Sequence, residues 1–317
     1  MTIAIVFPGQ GSQSIGMGQD LAQNFPCARL VFEEVDEALG EKLSALMFEG
    51  TLEDLSLTRN TQPALMAVSL AVVRVLEQEL GLPLSNLARL AAGHSLGEYS
   101  ALTALGVFDV TTCTRLLRLR GEAMQSAVPL GVGAMAVLMG GTLEMVNTLT
   151  QAAAQDQVCM LANDNATDQQ VISGHKEAVE RAIALAPEMG FKRALPLRAS
   201  APFHSSLMAP AALAMKEAFE KTTFNPLPLS VVANVTAETC SDANGFRTLL
   251  VTQVAGQVRW RESLHYMANH GITRLLELGA GKVLCGLAKR TTPDLQSQAI
   301  GTVEDIKGFL EARPFAH

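Results

Sequence analysis

Residues 91–100 read AAGHSLGEYS, and within them Gly93-His94-Ser95-Leu96-Gly97 satisfies G-x-S-x-G. Set between an apolar, strand-like run and a helix-like one, that pattern marks a nucleophile elbow, a sharp turn that exposes a serine hydroxyl at a helix N-terminus. Side chains flanking so tight a turn would clash, which accounts for the two glycines. On this reading Ser95 attacks an acyl carbonyl. The peptide N–H of Leu96 then donates to the resulting oxyanion, a contact worth about 3 kcal/mol in the transition state. The pentapeptide equally admits a second reading, in which Ser95 only caps the helix that follows.

A serine hydroxyl is a weak nucleophile and needs a base. His94 is adjacent, but on an elbow its side chain points away from Ser95, so it is read as holding the turn together. His175 falls at a turn, His265 and His270 in a polar stretch and His317 at the terminus, and all four read as surface groups. His204, in SAPFHSSLM, stands where the chain returns to its core and is the candidate base. No Asp or Glu between Ser95 and His204 sits in a setting that marks a triad acid.

A second glycine-rich turn, FPGQGSQ at residues 7–13, lacks both the GxxxxGK[ST] of a phosphate-binding loop and the GxGxxG of a dinucleotide fold. It reads as backbone that must approach another loop closely, with N–H groups placed to complete an oxyanion hole beside Ser95. GAGK at 279–282 fails the phosphate template too and reads as a tight turn. Arg120 closes LLRLR inside an otherwise apolar helix. It is either one half of a surface salt bridge or a planar fork for a substrate carboxylate.

These residues need a scaffold, and the chain supplies an α/β one. TIAIVF ending at Pro8 is a buried strand, and SIGMGQDLAQNF, ARLVFEEVDEALG and QPALMAVSLAVVRVLEQEL are helices. LARLAAG is a further strand and LGEYSALTALG the helix after the elbow. From residue 128 the order becomes βαββαβ through GAMAVLMG, TLEMVNTLTQAAAQ, VCMLAND, QQVISG, KEAVERAIALAPEMG and KRALPLRAS. A ferredoxin-like unit has that order and needs about 80 residues. SSLMAPAALAMKEAFEK then resumes helix, LSVVANV is a strand, and TRLLELG is the last strand before KVLCGLAKR. The expectation is a hydrolase-like core with a parallel sheet from residues 1–127 and 207–317, interrupted by a small ferredoxin-like α+β subdomain at 128–206. The site should lie in the cleft between them.

Composition narrows the function classes. At 317 residues and 48% apolar content the chain can bury a large core. A net charge of -7 argues against nucleic acid as a partner. No apolar run reaches the roughly 20 residues of a membrane span, and the N-terminal residues lack a secretion signal. Five scattered cysteines without a CxxC pair read as free thiols, and the histidines show no metal-ligand spacing. The expectation is a cytoplasmic monomer without a metal.

Taken together, FPGQGSQ, TQPAL, GHSLGEY, the Arg120-Gly121 pair, GAMAV, NDN followed by Gln169, APFHSSLM, NV at 234–235 and GAGKVLCGLAKR resemble one family nearly end to end. It is the malonyl-CoA:acyl carrier protein transacylases of bacterial fatty acid synthesis, with the related acyltransferase domains of polyketide synthases. The resemblance implies that Ser95 carries the malonyl group as an ester and that His204 is general base and then acid. It implies a backbone carbonyl at Gln253 orienting His204, an oxyanion hole from the N–H groups of Gln10 and Leu96, and Arg120 on the malonyl carboxylate. Phe203 resembles the form found in malonyl-selective members, whose bulk disfavours a methyl branch. Asn163 and Gln169 fall in the substrate-binding motif, although NDNATDQQ departs from the Ser-Pro-Gly that often follows the second Asn, which puts the loop shape there in doubt. No cofactor is implied beyond the coenzyme A thioester and the carrier protein's phosphopantetheine. Carrier proteins are acidic, so Lys289 and Arg290 read either as part of a basic docking rim or as solvated helix ends.

Overall fold

The computed structural model describes residues 2–199 and 201–312. Strand β1 (Ile3–Phe7) is buried along its whole length and is followed by helices α1 (Gln19–Asn24), α2 (Pro26–Leu39), α3 (Leu43–Glu49), α4 (Leu52–Ser56) and α5 (Thr58–Leu80). Next come β2 (Leu90–Gly93), α6 (Gly97–Ala104) and α7 (Val110–Ser126). A second unit runs β3 (Gly133–Met139), α8 (Leu143–Ala154), β4 (Cys159–Ala166), β5 (Gln169–His175), α9 (Lys176–Leu185) and β6 (Arg193–Pro196). The chain continues through α10 (Ala209–Glu220), β7 (Val231–Val232), β8 (Thr239–Cys240), α11 (Ala243–Ala255), α12 (Trp260–Asn269), β9 (Arg274–Leu278), α13 (Val283–Thr291), β10 (Gln296–Ile300) and α14 (Val303–Glu311).

Six strands form one sheet in the order β10-β9-β1-β2-β7-β8, parallel throughout except for the short edge strand β8. Side chains alternate across β1, and the period of two is visible in its burial. Ile3, Ile5 and Phe7 join the larger apolar cluster with α5, while Ala4 and Val6 join the one built on Trp260 and Leu264. Helix α5 is buried nearly all round, as a helix apolar on every face must be. Its first turns nonetheless carry buried Asn60, Thr61 and Gln62.

The other four strands make a wholly antiparallel sheet, β4-β5-β3-β6, in the order a ferredoxin-like βαββαβ unit adopts. Its two faces do different work. Ala136, Leu138 and Ile172 pack beneath α8 and α9, whereas Met135, Val137, Met139 and Val171 face a cavity shared with the larger sheet. The two units are pinned together where Arg261 on α12 grips the fully buried Asp164 of β4 at 2.8 and 3.1 Å.

Three expectations need correction. Helix α1 starts only at Gln19, because Gly16 and Gly18 take left-handed backbone angles. LSVVANV supplies just the two-residue β7, since the chain folds back at once with the Ala233 N–H on Glu238 O at 2.9 Å. TRLLELG is not the last strand: β10 follows it at the sheet edge, and QSQAI shows no apolar run because most of it is not buried.

Candidate active site

The loop joining β2 to α6 is built by contact distances. A Cβ at Gly93 would lie 1.9 Å from the backbone of Gly97, and one at Gly97 would lie 2.2 Å from Phe7 O. Ser95 between them holds φ +53°, a left-handed value that a non-glycine residue keeps only under restraint. The restraints are specific. Ser95 N–H donates to Asn234 Oδ1 at 2.7 Å, Asn234 Nδ2 donates to Gly93 O at 2.7 Å, and Gln253 Nε2 donates to Ser95 O at 2.8 Å. With its backbone fixed in this way, Ser95 presents Oγ to the cavity rather than capping α6, whose N-terminus shows no side-chain cap.

His204 meets that hydroxyl from the far end of the small unit, with Nε2 2.9 Å from Ser95 Oγ across 109 positions of sequence. It too holds a left-handed backbone, φ +56°. Its Nδ1 faces two carbonyls, Gln253 O at 2.9 Å and Gly256 O at 3.0 Å. Two acceptors there place the ring proton on Nδ1, leaving the Nε2 lone pair toward Ser95. Burial, reinforced by the nearby Arg120 charge, lowers the imidazole pKa to about 3. The ring is therefore neutral at neutral pH, with its Nε2 lone pair facing the Ser95 hydroxyl.

Arg120, on α7, is only 1% exposed. Its Nη1 donates to Gln62 Oε1 at 2.8 Å, and its Nη2 to Gln253 Oε1 at 2.8 Å and to Ser95 Oγ at 3.1 Å. The guanidinium carbon lies 5.4 Å from the ring centre of Tyr99. Among the described residues Arg120 forms no ion pair, so the surface salt-bridge reading does not hold. A buried cation held only by neutral acceptors is costly and is suited to receiving an anion.

The three groups sit on the wall of a cavity of about 820 Å³ that opens between the two sheets. Gln10, Leu96, Phe203, Asn163 and Gln169 line the same cavity. Asn163 is anchored beside Val258 in an isolated parallel bridge, and Asp168 occupies the turn between β4 and β5, where the sequence departs from Ser-Pro-Gly. His94 turns to Asn165, with Nε2 2.8 Å from Oδ1, and ties the elbow to β4 as expected of a turn-holding group. His265 and His270 are exposed, His175 is half-buried with Nδ1 accepting the Val158 N–H, and His317 lies outside the described residues. Lys289 is exposed, while Arg290 reaches across to Gln169 Oε1 at 2.6 Å and to Asp168 at 3.3 Å.

Sequence reasoning passed over Gln62, Asn234 and Glu98. Each had a faint signal: a glutamine before a proline in an apolar run, an asparagine closing a strand, and a lone acid in an otherwise uncharged helix. Glu98 is buried beneath the elbow, accepting Asn234 N–H on one oxygen and Gln253 Nε2 on the other, both at 2.5 Å. Burial pushes its carboxyl above the usual carboxylate range, against the pull of those donors and of Arg120, and a donor facing each oxygen makes the group a carboxylate that accepts on both.

Residues 4–300 match the acyl transferase domain family. Over 308 residues the chain is 44% identical to the malonyl CoA-acyl carrier protein transacylase of Escherichia coli strain K12, covering 97% of this chain and 98% of that one. The crystal structure of the acyl-carrier-protein S-malonyltransferase from Bartonella henselae superposes with a TM-score of 0.96 at 50% identity, covering 98% of this chain and 99% of the other. A malonyl-transacylase solved in complex with a type II PKS acyl-carrier protein superposes with a TM-score of 0.95 at 43% identity, covering 99% and 100% of the two chains.

Proposed function

The chain belongs to the acyl transferase domain family, and from that premise we propose that Ser95, His204 and Arg120 carry out malonyl transfer from malonyl-CoA to acyl carrier protein. The enzyme is a malonyl-CoA:acyl carrier protein transacylase, an S-malonyltransferase of fatty acid biosynthesis. The observation that carries the residue roles is the placement of Ser95 Oγ between His204 Nε2 and Arg120 Nη2, at 2.9 and 3.1 Å.

The reaction runs in two halves. Arg120 takes the free carboxylate of malonyl-CoA and sets the thioester carbonyl over Ser95. His204 Nε2 accepts the hydroxyl proton as Oγ adds to the carbonyl carbon, and the N–H groups of Leu96 and Gln10 hold the oxyanion. Collapse expels the coenzyme A thiolate, which leaves with the proton from His204, and malonyl remains on Ser95 as an ester. In the second half His204 deprotonates the phosphopantetheine thiol, which attacks that ester and regenerates the serine. Burial is the larger cause of the lowered His204 basicity and the Arg120 charge the second, and a bound carboxylate offsets the second.

The walls complete the assignment. Phe203 narrows the room beside the malonyl carbon that would bear a branch, and Asn163 and Gln169, on the same cavity wall, complete the substrate-binding set. No metal or further cofactor is called for. The same proposal divides the chain into a core of 1–127 and 207–317 and an inserted unit of 128–206, and has it act as a monomer in the cytoplasm. An acidic carrier protein docks on the cavity rim, where Lys289 and Arg290 are joined by the exposed Lys192, Arg193 and Arg198. The test is the rate of malonyl transfer to holo carrier protein. Ser95→Ala and His204→Ala should each lose it by about 1,000-fold or more, and Arg120→Ala should lose preference for malonyl-CoA over acetyl-CoA. Transfer surviving in Ser95→Ala would remove the nucleophile assignment, and a retained preference in Arg120→Ala would remove the anchor.

A further inference from the structure

Beneath the elbow lies a buried carboxylate that the reaction never touches. Glu98 lies in the first turn of α6, three residues past Ser95, and the His204 ring nitrogens face Ser95 Oγ and two backbone carbonyls instead, so it is not a triad acid. Its two oxygens meet two donors, Asn234 N–H and Gln253 Nε2. Both partners are already part of the site: Asn234 Oδ1 receives the Ser95 N–H, and Gln253 Oε1 receives Arg120 Nη2.

We propose that Glu98 is a positioning residue for malonyl selectivity, fixing the amide of Gln253 so that its oxygen, not its nitrogen, faces Arg120. A glutamine side chain can turn over with little change in shape, and neutral surroundings would leave its orientation open. Here the choice is forced from both ends. Ser95 O and a Glu98 oxygen are both acceptors and both claim Nε2, which leaves Oε1 as an acceptor for the guanidinium. Turned the other way, the amide would set N–H against N–H at Arg120 and two acceptors against Oε1. Among the described residues the guanidinium donates to one other side-chain acceptor besides the Ser95 hydroxyl, Gln62 Oε1 on Nη1, so losing Gln253 leaves Nη2 with the Ser95 hydroxyl alone. The carboxylate anchor would then lose its aim while His204 keeps its own, because His204 is oriented by the backbone oxygens of Gln253 and Gly256, not by this amide. Ser95, whose carbonyl also meets the amide, would slacken for both acyl groups alike, which lowers both rates and not their ratio.

Glu98→Gln separates these roles. An amide in place of the carboxylate offers one acceptor and one donor to two facing donors, so one contact must fail. The inference rests on Arg120 as the carboxylate anchor, and the readout is the ratio of Ser95 acylation rates with malonyl-CoA and acetyl-CoA, measured by rapid quench. In Glu98→Gln this ratio should fall by about ten-fold, and in Gln253→Ala by at least as much, with the double variant no worse than Gln253→Ala alone, as expected of links in series. A general loss of stability would lower both rates and leave the ratio unmoved. If Glu98→Gln does not fold, Glu98→Asp, which draws the carboxylate back from Gln253 by one methylene, is read by the same ratio with the same expectation. A folded Glu98 variant that keeps the parental ratio overturns the relay. Arg120→Ala run alongside distinguishes the cases: if it also keeps the ratio, the anchor is wrong, and if it alone loses the ratio, only the relay is.

Discussion

At the scale of single residues, the site depends on what burial does to charge. His204 is held neutral by desolvation and by Arg120, with a pKa of about 3 against the usual 6.5. Between those values the unfolded chain binds a proton that the native chain does not, so this residue's contribution to stability is complete above pH 6.5 and declines as pH falls toward 3. Activity follows the folded value. The acid limb of kcat/KM for malonyl-CoA should lie below about pH 5, with the rate level within about two-fold from there to pH 8. An acid limb centred near 6.5 would mean that the imidazole is solvated and that its basicity is ordinary. As candidates, Ser95 and His204 were marked in the sequence by motif and position, whereas Arg120 was marked only by the resemblance, since LLRLR by itself left its role open. Gln62, Asn234 and Glu98 were not, because each acts on a partner remote in the chain: 58 positions for Gln62 and Arg120, 139 for Ser95 and Asn234, 155 for Glu98 and Gln253. Nothing in a run of residues records such a meeting.

At the scale of elements, the elbow is the part most tightly specified. Strand β1 and helix α6 approach so closely that Gly97 has backbone, not a yielding side chain, against the place of its missing Cβ. Gly97→Ala should therefore cost about 3 kcal/mol or more, read as a lowered melting temperature together with loss of Ser95 acylation. A normal melting temperature with full acylation would show that the turn has slack. Strong periodicity made the long elements readable, α5 and the βαββαβ run above all. Strand β10 escaped because an edge strand need not bury its side chains, and α1 was overextended because two glycines in its leading stretch adopt left-handed angles rather than helical ones.

At the scale of the whole molecule, the cavity exists only because two units built from interleaved segments meet, the larger supplying Ser95 from the β2–α6 loop and Arg120 from α7, and the smaller an apolar wall of its sheet. The chain as a whole carries a net charge of -7, so attraction to an acidic carrier has to come from a local patch. Lys289→Glu combined with Arg290→Glu should raise KM for holo carrier protein by about ten-fold at low salt, while leaving KM for malonyl-CoA within about two-fold. Unchanged carrier kinetics would move the docking surface elsewhere. The central claim, that one serine holds the malonyl group between two thiols, is tested most directly by intact-protein mass spectrometry after mixing with malonyl-CoA. The account predicts a single malonyl adduct mapped to Ser95, persistent in buffer, discharged by holo carrier protein and absent from Ser95→Ala. An adduct that forms in Ser95→Ala, or one that water removes as fast as the carrier thiol does, would contradict it.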